Sequence, residues 1–141
     1  MDDGVLIRSA GIADRDAVLA VWGTARSAAA DVEDTRHDVE QLLAFDPESL
    51  LVAEVDGEIV ATAVVTWDGW RGGVHRLVVL PPHRRQGIAR MLVEAAHQRL
   101  RTLGAKRANI LIAELDEGAV ELWRSAGYRT DERVGRWFLD F

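Results

Sequence analysis

The chain of 141 residues has no cysteine, a single tyrosine and no apolar run of eighteen residues or more. Without cysteine there is no disulfide, no thiolate metal site and no cysteinyl covalent intermediate. Without a long apolar run there is no candidate membrane-spanning helix, and Met1-Asp2-Asp3 lacks the basic start of a secretory signal. The expectation is a soluble, cytoplasmic protein. An excess of basic residues is missing too. Lys and Arg number 17 against 23 Asp and Glu, a formal charge of −6. That balance argues against nucleic acid as the main partner, since phosphate backbones are held by basic surfaces. A cationic partner suits the field better, although an acidic balance of this size serves mainly solubility. What is present, 48% hydrophobic and 28% charged residues, fits one globular domain with one core over residues 1–141. No metal is implied.

Local patterns give a sequence of elements. Val5 to Ser9 reads as a strand, followed by a helix from about Asp14 with Ala17, Val18, Val21 and Trp22 at helical spacing. Trp22 is expected in the core. A second helix runs from about Thr35 through Phe45, with Thr35 and Asp38 as a capping pair. Leu50–Val55 and Glu58–Trp67 flank Asp56-Gly57, the signal of a tight hairpin whose turn needs two positive φ angles. Asp68 to Gly73 is a glycine-rich turn into a fourth strand, Val74 to Leu80, which stops at Pro81-Pro82. A helix from about Arg85 to Leu103 carries Ile88, Met91, Leu92, Ala95 and Ala96 on one face and stops at Gly104. Arg107–Ala113 reads as a fifth strand, Asp116–Ala126 as a last helix, and 129–141 as two closing strands around Gly135. Strands interleaved with two early and two late helices point to an α/β protein with a mixed sheet covered on both faces.

The junction after the fourth strand is the most informative segment. Arg84-Arg85-Gln86-Gly87-Ile88-Ala89 places a glycine and a small residue where a loop becomes a helix. Free backbone N–H groups and the positive end of the helix dipole converge there, and Gly87 lets an anion approach the main chain. Arg84, Arg85 and Arg90 oppose the dipole, a local conflict that a bound anion relieves.

This run resembles the acyl-CoA-binding motif of the GNAT superfamily of N-acetyltransferases, Gln/Arg-x-x-Gly-x-Gly/Ala after an apolar strand, filled by Arg84, Gly87 and Ala89. A second resemblance lies in Ala119-Val-Glu-Leu-Trp123-Arg-Ser-Ala-Gly127-Tyr128, a helix with alanine, an aromatic, then glycine and an aromatic. From Val5 to Phe141 the chain is similar to small bacterial acetyltransferases of the YpeA type, notably in Asp68-Gly69-Trp70-Arg71-Gly72. The resemblance implies the GNAT fold, with about seven strands, four helices and splayed central strands. It implies acetyl-CoA as co-substrate and direct acetyl transfer to a primary amine. The backbone of Leu77, Val78 and Val79 would receive the pantetheine arm and thioester. Arg84, Arg85, Gln86, Gly87, Ile88, Ala89 and Arg90 would receive the phosphates, with His83 a weaker contributor, and Trp123 would form an apolar wall.

Transfer to an amine needs a base, because a lysine-like amine has a pKa of about 10.4. His75 is the first candidate: it titrates near neutral pH and lies two residues before Leu77, hence on the same face and about 6.6 Å along the strand. Relatives with a glutamate base carry it where this chain has Gly73. Asp68 is a second candidate, although beside Gly69 it reads as a turn former. Trp123 stands where many relatives have a tyrosine that protonates the leaving thiolate, and an indole N–H is no practical acid. Water or the amine supplies that proton, or Tyr128 takes the role, or catalysis is slow. Asp116 stands where many relatives have an asparagine contacting the cofactor arm. For the acceptor, the resemblance points to Trp67, Trp70, Arg71, Asp31, Glu33, Asp34 and Trp137, acidic groups beside aromatics that suit a cationic amine. A coenzyme A-binding sensor, an interaction module with weak or no catalysis, is the alternative. The apolar Trp137-Phe138-Leu139 run offers an edge for a homodimer.

Overall fold

The computed structural model describes residues 4–25, 32–112 and 117–141. Two compact units divide it, Met1–Leu111 and Ile112–Phe141. The first holds β1 (Val5–Ser9), α1 (Arg15–Gly23), α2 (Arg36–Phe45), β2 (Leu50–Val55), β3 (Glu58–Trp67), β4 (Gly72–Val79), α3 (Ile88–Leu103) and β5 (Ala108–Asn109). The second holds α4 (Glu117–Ser125).

Short-range chemistry builds most of the first unit. Asp56 and Gly57 take φ of 50° and 80°, so the β2–β3 turn has the paired left-handed residues that match strand twist. Thr35 caps α2: its hydroxyl accepts from Asp38 N–H at 3.3 Å, and the Asp38 carboxylate accepts from Thr35 N–H at 2.7 Å. Gly104, at φ 88°, ends α3 where a left-handed residue lets the last carbonyls be satisfied.

The strands form one sheet in the order β1-β2-β3-β4-β5, antiparallel except for the β4–β5 pair. Alternation along β2, β3 and β4 sends Leu50, Val52, Val64 and Val78 to one face, where they join Val18, Val21 and Trp22 of α1 and Val39 and Leu43 of α2. The other face receives α3, whose Ile88, Leu92, Val93, Ala96 and Leu100 are buried. Gly72 permits that packing, because a Cβ there would lie 2.5 Å from a Leu100 methyl. Arg99 of α3 ties the sheet to the end of α2, donating to the Val65 carbonyl at 3.0 Å and to both Asp46 carboxylate oxygens at 2.9 and 2.8 Å.

Two features of β4 depart from a regular strand. First, it pairs with β5 only at Gly72↔Ala108 and Gly73↔Asn109. Beyond Gly73 the β5 side of β4 has no ladder partner among the described residues, which is the splay that the family resemblance implied. Second, the β3 register jumps from Val64↔His75 to Thr62↔Val78, so β4 carries a bulge with Arg76 at φ 51°. A left-handed non-glycine residue costs about 1 kcal/mol, and a buried relay stabilises this one. Trp22 Nε1–H donates to Thr62 Oγ1 at 2.9 Å, and Thr62 Oγ1–H donates to the Arg76 carbonyl at 2.8 Å. Thr62 is fully buried.

The strand count is lower than expected. Five strands are present among the described residues, β5 is only two residues long, and 129–141 contains no strand. The reason is visible in side-chain placement: Val134, Trp137, Phe138 and Leu139 are all exposed, so no face of this segment is buried to set a strand register. Arg133 instead bonds Asp131 locally. α3 also starts three residues later than expected, because Arg85 and Gly87 are both left-handed.

Replacing Thr62 by the near-isosteric valine leaves a buried indole N–H and a bulge carbonyl without their partner. Thr62→Val should lower the unfolding free energy by about 1–3 kcal/mol in urea titrations. Wild-type stability would show that the relay does not hold the bulge.

Candidate functional site

The loop after β4 keeps the geometry expected from its sequence. Pro81–His83 forms one 3-10 turn, after which Arg85 (φ 63°) and Gly87 (φ 81°) turn the chain into α3. The first intrahelical bond runs from Met91 N–H to the Gly87 carbonyl at 3.1 Å, so the N–H groups of Ile88, Ala89 and Arg90 precede the helical ladder. A Cβ built on Gly87 would meet nothing within 4 Å, which leaves open space over the loop. A turn with a left-handed residue can aim successive backbone N–H groups at one point, the kind of concavity that receives anions. Arg84, Arg85, Gln86 and Arg90 are exposed around it, and Ala89 is half-buried. The Ile88 side chain is buried in the core, so only its main chain is available to a ligand.

The β4 residues are placed less simply. Val78 is buried against the α1 and α2 face, whereas Leu77 and Val79 are half-buried. The Val79 carbonyl is already occupied, accepting from Arg84 Nε at 3.1 Å. This bond draws the Arg84 side chain back onto the strand and leaves the loop main chain open. The bulge also overturns one expectation. Because Val64 pairs with His75 and Thr62 with Val78, His75 shares its face with Val78 and not with Leu77. One extra residue shifts side-chain parity in a strand.

His75 is half-buried in a cleft of about 280 Å³ lined by Thr66, Trp67, Asp68, Arg71, Gly72, Gly73 and Asn109. Its Nε2 lies 3.3 Å from Thr66 Oγ1. Burial lowers its pKa below the ordinary 6.5, so the ring stays neutral to more acid pH. Asp68 accepts from the backbone N–H groups of Arg71 and Trp70, at 2.6 and 2.7 Å. Those bonds hold its carboxyl below the ordinary carboxylate range, which weakens it as a base and fits a turn former. Trp70 is 67% exposed, with the Arg71 guanidinium 4.0 Å over its ring.

A second cavity of about 220 Å³ is lined by Leu19, Trp22, Gly23, Val32, Glu33, Asp34 and Arg76. Arg76 pairs with Asp34 and lies 5.3 Å over the Trp22 ring. Trp22 is therefore both core and cavity wall. Sequence reasoning did not single out Arg76, Thr66 or Asn109. Arg76 looks like an ordinary charged residue on a strand, and only the bulge brings its backbone into the relay.

In the second unit, Trp123 is 4% exposed and meets Tyr128 edge to face, with centroids 4.9 Å apart. Burial raises the Tyr128 pKa above its ordinary 10, making the phenol a weaker acid. Trp137 is 95% exposed. Asp31 and Asp116 lie outside the described residues. Among the described residues no cluster of three His, Asp or Glu could hold a metal, and no helix is long and apolar enough to cross a membrane.

Comparison with known proteins bears on this arrangement. Residues 18–128 match the acetyltransferase (GNAT) family. An acetyltransferase of Yersinia pestis is 33% identical over 101 residues, 72% of each chain. One of Pectobacterium atrosepticum is 33% identical over 97 residues, 69% of each chain. Among solved structures, Ard1 from Thermoplasma volcanium superposes with a TM-score of 0.79 at 19% identity, covering 88% of this chain and 82% of that one. Rv2747 from Mycobacterium tuberculosis, solved in complex with CoA, gives 0.75 at 20% identity, covering 90% and 73%. A mixed sheet with a splayed and bulged fourth strand, a glycine loop opening α3, and a family match over most of the chain lead to one conclusion: this protein is an acyltransferase of the GNAT acetyltransferase family.

Proposed function

We propose that the protein transfers an acetyl group from acetyl-CoA directly to a primary amine, with His75 as the general base. The observation that carries this reading is the Arg84–Gly87 loop. Its two left-handed residues, the open space over Gly87 and the start of a 16-residue helix fit the pyrophosphate of coenzyme A. Arg85 and Arg90 match phosphate oxygens by charge and geometry, while Arg84 braces the loop through the Val79 carbonyl. Beside this loop, the β4 edge left unpaired by the splay offers main-chain groups of Leu77 and Val78 to the pantetheine arm and thioester.

The acceptor arrives as an ammonium and loses one proton to the neutral His75 imidazole. Its nitrogen lone pair then forms a bond to the thioester carbonyl carbon. As the adduct collapses the C–S bond breaks, the sulfur leaves with its electron pair, and it takes the second proton shed by the nitrogen. Amide and thiol result, and the imidazolium returns its proton to solvent. No phenol is required, which suits a chain whose one tyrosine is half-buried with a raised pKa. Glu33 lines the cavity beside Trp22, where Asp34 is already paired with Arg76, and we assign Glu33 to a cationic acceptor.

Two measurements test the two ends of the site. Gly87→Glu puts bulk and negative charge where the phosphates would lie, and should abolish acetyl-CoA binding in calorimetry; retained affinity overturns the donor site. His75→Ala should lower kcat about 10²-fold with acetyl-CoA affinity unchanged, followed as thiol release with a panel of peptide amines, lysine and polyamines. Tight acetyl-CoA binding without amine-dependent thiol release by the wild type would favour the sensor alternative.

The pH dependence has a defined sign. The neutral imidazole is the active form and burial lowers its pKa, so kcat should rise with pH through a midpoint below 6.5 and then level. That acid limb should vanish in His75→Ala, and its persistence would remove His75 as the base.

A further inference from the structure

We propose that Thr66 is the positioning residue for His75, holding the imidazole in the tautomer that carries its proton on Nε2, and that the bare Cα of Gly73 is what makes this contact sterically possible. This deepens the reading of His75 as the base and rests on it for its catalytic consequence.

Three positions converge. Thr66 pairs directly with Gly73 across β3 and β4, and His75 lies two residues along β4, opposite Val64. Thr66 and His75 are thus diagonal neighbours on one face, within reach of long side chains. Their polar atoms, 3.3 Å apart, meet over the glycine. A Cβ on Gly73 would lie 2.7 Å from His75 Nε2, 2.7 Å from Thr66 Oγ1 and 3.3 Å from the Asn109 carbonyl oxygen. Both 2.7 Å approaches are closer than a carbon can come to nitrogen or oxygen without displacement. Any larger residue at 73 would push the ring and the hydroxyl apart. The side chain absent at Gly73 and the histidine at position 75 are therefore one steric arrangement.

The tautomer follows from proton accounting. A neutral imidazole has one N–H and one lone pair, and whichever nitrogen is engaged decides what the other can do. If the Thr66 hydroxyl donated to Nε2, Nδ1 would carry the proton and neither nitrogen would be free to take another. If Nε2–H donates to Thr66 Oγ1, Nδ1 keeps an open lone pair. The role of His75 as the base requires that open lone pair, which selects the arrangement in which Nε2–H donates to Thr66 Oγ1. The imidazolium formed after proton uptake at Nδ1 keeps its Nε2–H on the same oxygen, so the ring need not rotate during the cycle. The charged groups lining this cleft are Asp68 and Arg71.

Nitrogen-15 NMR of the His75 imidazole in the full chain, at a pH where the ring is neutral, reads the tautomer directly. The wild type should show Nε2–H, and Thr66→Val should lose that preference. Thr66→Val should also lower kcat on the order of 10-fold and move the acid limb of the pH profile, with acetyl-CoA affinity unchanged. Thr66→Ser, which keeps the hydroxyl, should restore tautomer and rate. An Nδ1–H wild type, or a Thr66→Val protein with wild-type tautomer and pH profile, overturns the proposal. The base assignment fails separately, if His75→Ala keeps wild-type kcat while the tautomer signature of Thr66 is present.

Discussion

The hydrogen-bond relay from Trp22 through Thr62 to the Arg76 carbonyl is the contact on which the site's geometry depends. Arg76 adopts a left-handed backbone that an arginine does not favour, and the relay satisfies the carbonyl that this conformation turns toward α1. Because Thr62 is fully buried, loss of the relay would strand polar groups away from water at both ends. The relay therefore couples the packing of α1 to the bulge in β4. The bulge in turn decides which side chains share a face: His75 with Val78, in the layer built on α1 and α2.

A second constraint acts at the other edge of β4. Among the described residues, pairing with β5 stops after two residues, so main-chain groups that a longer ladder would occupy have no strand partner there. The chain then leaves the strand through a loop with left-handed Arg85 and Gly87, and the space over Gly87 is open. Arg84 bonds back to Val79, so one basic side chain braces the loop against the strand. Splay, bulge and loop all fall between Gly73 and Gly87, so one short segment of chain holds all three. The cavity holding Arg76, Asp34 and Trp22 lies on the face reached through the bulge.

Much of the first unit was legible because it rests on interactions between near neighbours in sequence. Asp56-Gly57 makes its turn with its own φ angles, Thr35 and Asp38 cap each other three residues apart, and Gly104 ends α3 alone. The Gly87 loop was legible for the same reason. Parity in β4 was not, because alternation assumes a regular strand and nothing in Val-His-Arg-Leu-Val marks an extra residue. The closing strands were also misread. Apolar residues at 134 and 137–139 suggest a strand, but a strand exists only if a partner edge and a buried face receive it, and here these side chains are exposed. Trp22 was correctly placed in the core, yet its second role depends on an arginine 54 positions later in the chain folding back over its ring.

The sequence by itself determined the family, the α/β class and the glycine loop that opens α3, since turns, caps and helix starts are set by residues within a few positions of one another. It also determined what chemistry is excluded, through the absence of cysteine. Only the tertiary structure decided which residues surround His75. Thr66, Gly73 and Asn109 come from two neighbouring strands and a third that barely pairs, and they meet because a missing side chain leaves a gap of a few ångströms. Contacts of that kind depend on register and on a bulge stabilised from another layer. No local pattern encodes them, because the energies that select them come from burial and hydrogen bonding between segments distant in the chain.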